Sequence, residues 1–466
     1  MTRAAKWLLV ILGFLLIAIY VGALKLGDLR KHTVEFEWLF FSAFILYGVA
    51  CIISLQADGN VVDRRTLFII IALATLMQSV LIFSRPTLTD DMYRYVWDGR
   101  VQAHGISPYR YPPNAPELLY LRENDVYPSI NRKPVVTVYP PAAEAAYFLL
   151  WRIWPNNIHW FQAAMAAGGL LAGILLIGLL NDLGYSPART VIFLWSPLLI
   201  FETAHAAHVD GLVLPLLVGA WWARTRERDV LTGILLGVAT AMKFYPALLL
   251  PFLWRPQDPK GRWSMPLTFF IAIGLFYAPY VLTSETSVLG YLPGYFRETF
   301  NNSPLVSLLN NFLDGIDLNL PYRLVGLSIG AILIAAIWCI FHPAPDAEAA
   351  LRRCIWPIGI VTLLSQDLFA WYILWLLPLI AIFLQPSNIK WWTVSLPKID
   401  TWAGWWLFCG LIALSYTFFI QWKPVSSAIL VEFIPLYLIL VVNLVTLLWK
   451  KFSIGLEPAS IRQSPN

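Results

Sequence analysis

Charge is scarce in this sequence. Asp, Glu, Lys and Arg make up 13% of its 466 residues, about half the roughly 25% of an ordinary globular domain. A water-soluble fold of this length could not cover its surface with so few charges. Neither a glycine-rich dinucleotide fingerprint nor a P-loop occurs, which excludes a soluble nucleotide-binding domain. No basic tract and no basic stripe interleaved with aromatics is present, so nucleic acid is not an expected partner. The four cysteines, Cys51, Cys339, Cys354 and Cys409, are widely separated. None has a neighbour at zinc or redox spacing, and they read as small apolar packing residues. No two halves of the chain repeat one another.

What the sequence has is apolar bulk. Hydrophobic residues reach 58%, aromatics 15% with 22 Trp, and net charge is only +5; mean hydropathy is +0.64. These values give an all-α polytopic membrane protein. Apolar runs long enough to cross ~30 Å of hydrocarbon occur at 7–24, 38–55, 67–83, 160–180, 265–282, 322–341, 402–420 and 428–449. Basic residues set the sides. Arg3/Lys6, Arg64/Arg65, Arg224/Arg226/Arg228, Arg255/Lys260/Arg262, Arg352/Arg353, Lys390/Lys398 and Lys450/Lys451 form one cytoplasmic set, with Lys25, Arg30 and Lys31 dissenting. Both termini are then cytoplasmic, and the long stretch 84–140 lies outside.

That assignment makes three apolar segments awkward, because each has basic flanks on the same side. The segment 190–223 is interrupted by His205-Ala206-Ala207-His208-Val209-Asp210, 230–254 by Lys243-Phe244-Tyr245-Pro246, and 354–384 around Gln366-Asp367. Proline breaks a helix, and irregular backbone survives at membrane depth only when protein buries it or it lines a cavity. Three broken hairpins that dip in and return are expected, with an enclosed polar site. The whole is a bundle of about 11–14 full or half-membrane helices.

Candidate residues follow from these breaks. Lys243 sits between GILLGVATAM and FYPALLLPFL, and an intramembrane charge is a functional hypothesis by default. It suits an anionic group, with Tyr245 beside it. His205, His208 and Asp210 could hydrogen-bond a ligand or hold a divalent ion, and Glu202 lies one turn before. Asp367, Trp371 and Tyr372 occupy the third break, where the aromatic faces could stack on a ligand. In the outer stretch, Thr89 can cap a helix starting at Asp90-Asp91. Asp91, Tyr95 and Asp98 share one face of it, and Asp90, Arg94 and Trp97 another. Arg94, Arg100 and Arg110 could hold phosphate bidentately. A second outer loop, 284–320, with Tyr295, Arg297, Glu298, Asn301 and Asn302, is placed to close over the site or bind an acceptor.

DDMYRYVWDGR, then HGISPYRYPP, YPP, HVDG, a lysine-aromatic-proline motif and WYILWLLP at 371–378 resemble the integral-membrane glycosyltransferases of the GT-C superfamily. The closest likeness is to the family 87 group that takes mannose or related sugars from polyprenyl phosphate. It covers about residues 1–385, a GT-C-like catalytic region. Residues 386–466 match only as generic membrane helices and a short tail. The resemblance implies a base in the first large outer loop, here Asp90 or Asp91; Asp91 is slightly favoured because it shares its helix face with Tyr95 and Asp98 while Asp90 can pair with Arg94. It casts Lys243 as partner of the donor phosphate, His205, His208 and Asp210 as partners of the sugar phosphate, and Trp371 and Tyr372 as stacking faces for a sugar. It also implies a polyprenyl-phosphate-linked sugar donor, a glycan or lipid acceptor, surrounding membrane lipids, and a site on the periplasmic face of a bacterial inner membrane. No cofactor is fixed; a divalent cation on Asp90, His208 and Asp210 stays open. The competing functions are a transporter or lipid-linked-sugar flippase, for which broken helices also serve, and a non-catalytic envelope scaffold.

Overall fold

The computed structural model describes residues 1–59, 61–122, 126–259, 261–283, 285–298, 303–391 without 316–322, and 394–455. Among these residues, eight helices are long and apolar enough to cross a membrane. They are Arg3–Leu26, Thr33–Leu55, Arg64–Ile82, Ile158–Asp182, Gly261–Thr283, Arg323–Phe341, a helical run from Thr401 to Gln421, and Ser426–Gly455. Each expected span is present, most of them extended by a few residues at a polar end. Asp63 illustrates why: its carboxylate accepts from the Thr66 amide at 2.8 Å, capping the third span before its apolar run starts. One short β hairpin, Pro386–Trp391 with Val394–Pro397, follows the third broken segment; the hydrophobic pattern gave no sign of it.

The three broken segments are hairpins. In the first, short helices Thr190–Leu194 and Pro197–Ile200 lead into a π turn over Phe201–His205, and Asp210–Thr225 returns. The second has Asp229–Met242 followed by Tyr245–Leu249 and Leu250–Leu253, and the third has Ile355–Leu364 followed by Ala370–Trp375 and Leu377–Phe383. Their ends meet at one pole of the bundle. The Arg189 guanidinium, fully buried, donates to the carbonyls of Ile382 at 2.6 Å and Leu384 at 2.9 Å and pairs with Asp58. The start of the first hairpin is thus tied to the end of the third. Arg224 Nε donates to the Leu253 carbonyl at 2.8 Å, tying the first hairpin to the second. Cationic side chains here satisfy helix-end carbonyls that would otherwise be orphaned.

Helix Ile158–Asp182 and the returning arm of the first hairpin approach almost backbone to backbone. A Cβ on Gly168 would sit 2.2 Å from the Gly211 carbonyl, and one on Gly211 would sit 2.4 Å from that of Met165. Small residues permit such contact where lipid supplies no hydrophobic drive between helices. The contact fixes Asp210, the neighbour of Gly211. The final helices join the same body: Trp406 Nε1 donates to Tyr47 Oη at 3.2 Å, and Tyr47 donates to the Ile192 carbonyl at 2.6 Å.

Candidate active site

The opposite pole of the hairpins faces the outer stretch 84–140. Its helix runs Asp91–Ala103, one residue later than expected, and the Thr89 hydroxyl accepts from the Asp91 amide at 3.2 Å. The helix is clamped on the half-length helix Pro141–Ile153 by a buried network. In it Gln102 donates to Glu144 at 2.9 Å and Thr137 donates to Glu144 at 2.6 Å. Asp91 is thereby held at the mouth of a cavity of about 620 Å³.

That cavity has a polar wall and an apolar wall. Asp91, Asn131, Arg132, Lys243 and Glu298 bring polar atoms to it, and Tyr245, Tyr295, Trp371, Tyr372 and Trp375 bring aromatic faces. Leu324, Val325, Ile329 and Ile332, from one side of helix Arg323–Phe341, line the apolar side.

Asn131 Nδ2 donates to Asp91 Oδ1 at 2.6 Å, leaving Oδ2 with His208 Nδ1 at 3.8 Å. Burial pushes the Asp91 carboxyl above its ordinary range; the Arg132 guanidinium, then the Asn131 hydrogen bond, pull the other way. Arg132 adopts a left-handed backbone, φ 46°, uncommon for a side-chain-bearing residue. It pairs with Glu298 and lies 5.5 Å over the Tyr295 ring. Lys243 ends the first arm of the second hairpin. Its ammonium donates to Asp210 Oδ2 at 2.6 Å and rests 5.0 Å from the Tyr372 ring centre and 5.4 Å from that of Trp375. Asp210 Oδ1 accepts from Trp375 Nε1 at 2.6 Å, so all three hairpins meet at one carboxylate. Tyr245 stacks on Trp375 at 3.4 Å.

The sequence candidates separate into two groups. Asp91, Lys243, Tyr245, Asp367, Trp371 and Tyr372 line the cavity, and Asp210 and His208 lie directly behind that lining. Asp90 turns away to Arg30 on the first outer loop. The i, i+4 pairing of Asp90 with Arg94 does not form. Arg94 instead takes Asp98 at 2.9 Å, both buried, and donates to the Val135 carbonyl at 3.1 Å. Arg100 donates to the Leu121 carbonyl at 2.6 Å, and Arg110 pairs with Glu285 at 3.0 Å. These three arginines hold the outer loops together. His205 is a pin as well: Nδ1 shares a hydrogen with Ser84 Oγ at 2.6 Å, and Nε2 accepts from the Thr87 amide at 3.2 Å. Among the described residues, no three His, Cys, Asp or Glu side chains converge as metal ligands would.

The second outer loop does reach the site. Tyr295 and Tyr372 hydroxyls meet at 2.5 Å, and the Tyr291 amide donates to the Thr137 carbonyl at 3.0 Å. Asn301 and Asn302 lie outside the described residues. Asn131 and Arg132 were not singled out from sequence. They sit in a proline-flanked polar stretch, NRKP, whose only signal is a cation in the loop that carries the candidate base.

The sequence is similar to known glycosyltransferases. Residues 137–365 match the sequence model of Glycosyltransferase family 87. The chain is 24% identical over 435 residues to Alpha-(1->6)-mannopyranosyltransferase A of Mycobacterium tuberculosis, covering 83% of this chain and 81% of that protein. It is also 30% identical over 104 residues to GPI mannosyltransferase 1 of Gibberella zeae, 21% of this chain and 24% of that one. The matched segment takes in the first two hairpins, the second outer loop and the first arm of the third hairpin. The chain is thus an integral-membrane protein by its long apolar helices and similar in sequence to the family 87 glycosyltransferases.

Proposed function

We propose that the protein transfers a hexose, mannose or a close relative, from a polyprenyl phosphate to a glycan or lipid acceptor of the cell envelope. The site faces the periplasm of a bacterial inner membrane. Residues 1–385 supply the catalytic groups, and the helices beyond 385 close the cavity with Tyr416 and Phe419.

One observation carries this reading: the Asp91 carboxylate and the Lys243 ammonium line one cavity whose wall also carries apolar side chains of the membrane-spanning helix Arg323–Phe341. A polyprenyl-phosphate sugar has that same polarity order, with a polar head and a tail that cannot leave the bilayer. Asp91 takes the proton of the acceptor hydroxyl as that oxygen bonds to the anomeric carbon. The bond from the anomeric carbon to the phosphate oxygen breaks on the opposite face, which inverts the configuration. The lipid phosphate departs with the electron pair. Lys243 and Arg132 are the cations available to it, and such groups act most strongly where water is excluded. Asp210 and the Tyr372 and Trp375 faces hold the Lys243 ammonium at the cavity edge without using all of its hydrogens.

The test is transfer by purified protein from a panel of polyprenyl-phosphate sugars to candidate acceptors, beside uptake of the same donors into vesicles. Release of polyprenyl phosphate matched by glycosylated acceptor supports the reading. Donor uptake with no transfer from any donor assigns the protein to lipid-linked-sugar transport instead.

A further inference from the structure

Behind Asp91 lies a row of buried groups that the chemistry above does not use. His208 is 1% exposed and so cannot meet a ligand; its ring is stacked at 3.8 Å against Trp371, which lines the cavity. Its Nδ1 faces Asp91 Oδ2 at 3.8 Å, and its Nε2 faces Glu202 Oε2 at 3.4 Å. Neither Nε2 nor that carboxyl oxygen has another partner among the described residues. The other oxygen, Oε1, accepts from Tyr416 Oη at 2.6 Å, and Tyr416 returns to the cavity wall from the seventh span. Lys243 with Asp210 and, on the same segment, His205 are the other titratable groups around His208.

The backbone is shaped to make this row. A π turn over Phe201–His205 widens the helix, the His208 amide reaches back to the Glu202 carbonyl at 2.9 Å, and Ala207 between them is left-handed at φ 56°. Strain at a side-chain-bearing residue persists only where its surroundings over-determine it. Here it brings two polar side chains of one segment face to face in the protein interior, where a polar atom without a partner is costly.

We propose that Glu202 and His208 are the positioning residues of Asp91. Glu202 carries the single hydrogen between Oε2 and Nε2, which fixes the His208 tautomer with Nδ1–H toward Asp91 Oδ2. With Asn131 on Oδ1, the carboxylate is then held from both sides and its remaining lone pair points at the acceptor hydroxyl. The 3.8 Å gap closes as the loaded site tightens, as catalytic hydrogen bonds commonly do. Tyr416 holds the outer oxygen of Glu202, so the seventh span takes part in orienting the base. No proton leaves Asp91 through this row.

This inference rests on Asp91 being the base, and the experiment keeps the two apart. Wild type, Asp91→Asn, Glu202→Leu, Glu202→Gln and His208→Phe are compared for kcat, donor KM and donor binding in detergent. Loss of turnover in Asp91→Asn tests the base alone. Positioning predicts that Glu202→Leu and His208→Phe lose roughly 10–100-fold in kcat while donor binding, which also reports an intact fold, stays near wild type. Glu202→Gln restores most of that loss, because its amide donates to Nε2 and its carbonyl still accepts from Tyr416. A Gln variant as impaired as the Leu variant overturns the proposal, since it would require an ionisable group there. So does a Leu variant with wild-type kcat, or one whose whole defect is in donor binding.

Discussion

Asp90 and Asp91 are adjacent, identical in chemistry, and opposite in placement. Asp90 leaves the helix toward Arg30, and Asp91 enters the cavity between Asn131 and His208. The sequence left the base within this pair with only a slight preference for Asp91, because the decisive partners are about 40 to 120 residues away along the chain, as the Asn131 and His208 contacts illustrate. The same limit misdirected Arg94, whose helical neighbour Asp90 was taken by a distant arginine. A pH profile tests the placement. Burial raises the Asp91 carboxyl, and Arg132 opposes that rise. A base works only when ionised, so the rate falls as pH drops through its folded value, which lies above the ~3.9 of a free aspartate. Arg132→Met removes the opposing charge and is expected to move the acid limb to higher pH. An unmoved limb would mean that Arg132 and the titrating group are not neighbours. For Lys243, the expected result of a Lys243→Met/Asp210→Asn double change, which leaves no uncompensated charge, is donor binding weakened roughly 10–100-fold, as for a charge-assisted hydrogen bond lost. Titration of donor by the double variant measures it.

Hairpins are the elements that build the site, and their breaks were legible. Two histidines and an aspartate, a lysine followed by Phe-Tyr-Pro, and Gln-Asp each interrupt an apolar run, and each is where the helix stops. What could not be read was which broken ends meet. Asp210 joins Lys243 and Trp375 from two other hairpins, whereas His205, equally suggestive in sequence, turns to Ser84 and Thr87 and anchors the start of the outer loop. Periodicity reports a helix's apolar face and says nothing of its partner. At the other pole the joint is Arg189. Its replacement by Met removes the cation paired with Asp58 and leaves the carbonyls of Ile382 and Leu384 without its donors. The expected cost is about 3–5 kcal/mol, typical of a buried pair losing one member. A large drop in the thermal midpoint in detergent would show it, and an unchanged midpoint would refute the joint.

For the whole molecule, low charge and long apolar runs already placed nearly all of the chain in the bilayer, and the eight spans agree with that. The cavity between the hairpins and the outer loops is a property of their packing that no single segment announces. Its walls come from the first outer stretch, the second and third hairpins, the second outer loop, helix Arg323–Phe341 and the seventh span, so residues beyond 385 belong to the site's enclosure even though they carry no motif. Polar groups such as Asp91 and apolar side chains such as Ile329 line one volume, which is the mixed polarity the proposed lipid-linked donor requires. The most direct measurement is transfer from polyprenyl-phosphate sugars by wild type, Asp91→Asn and Asp90→Asn, with donor binding followed in parallel. Asp91→Asn is expected to lose turnover by roughly 10²–10⁴-fold while still binding donor. Asp90→Asn, which loses only a partly exposed ion pair worth ~0–1 kcal/mol, stays within a few-fold of wild type. Full activity in Asp91→Asn, or loss confined to Asp90→Asn, would contradict the assignment of the base on which the mechanism stands.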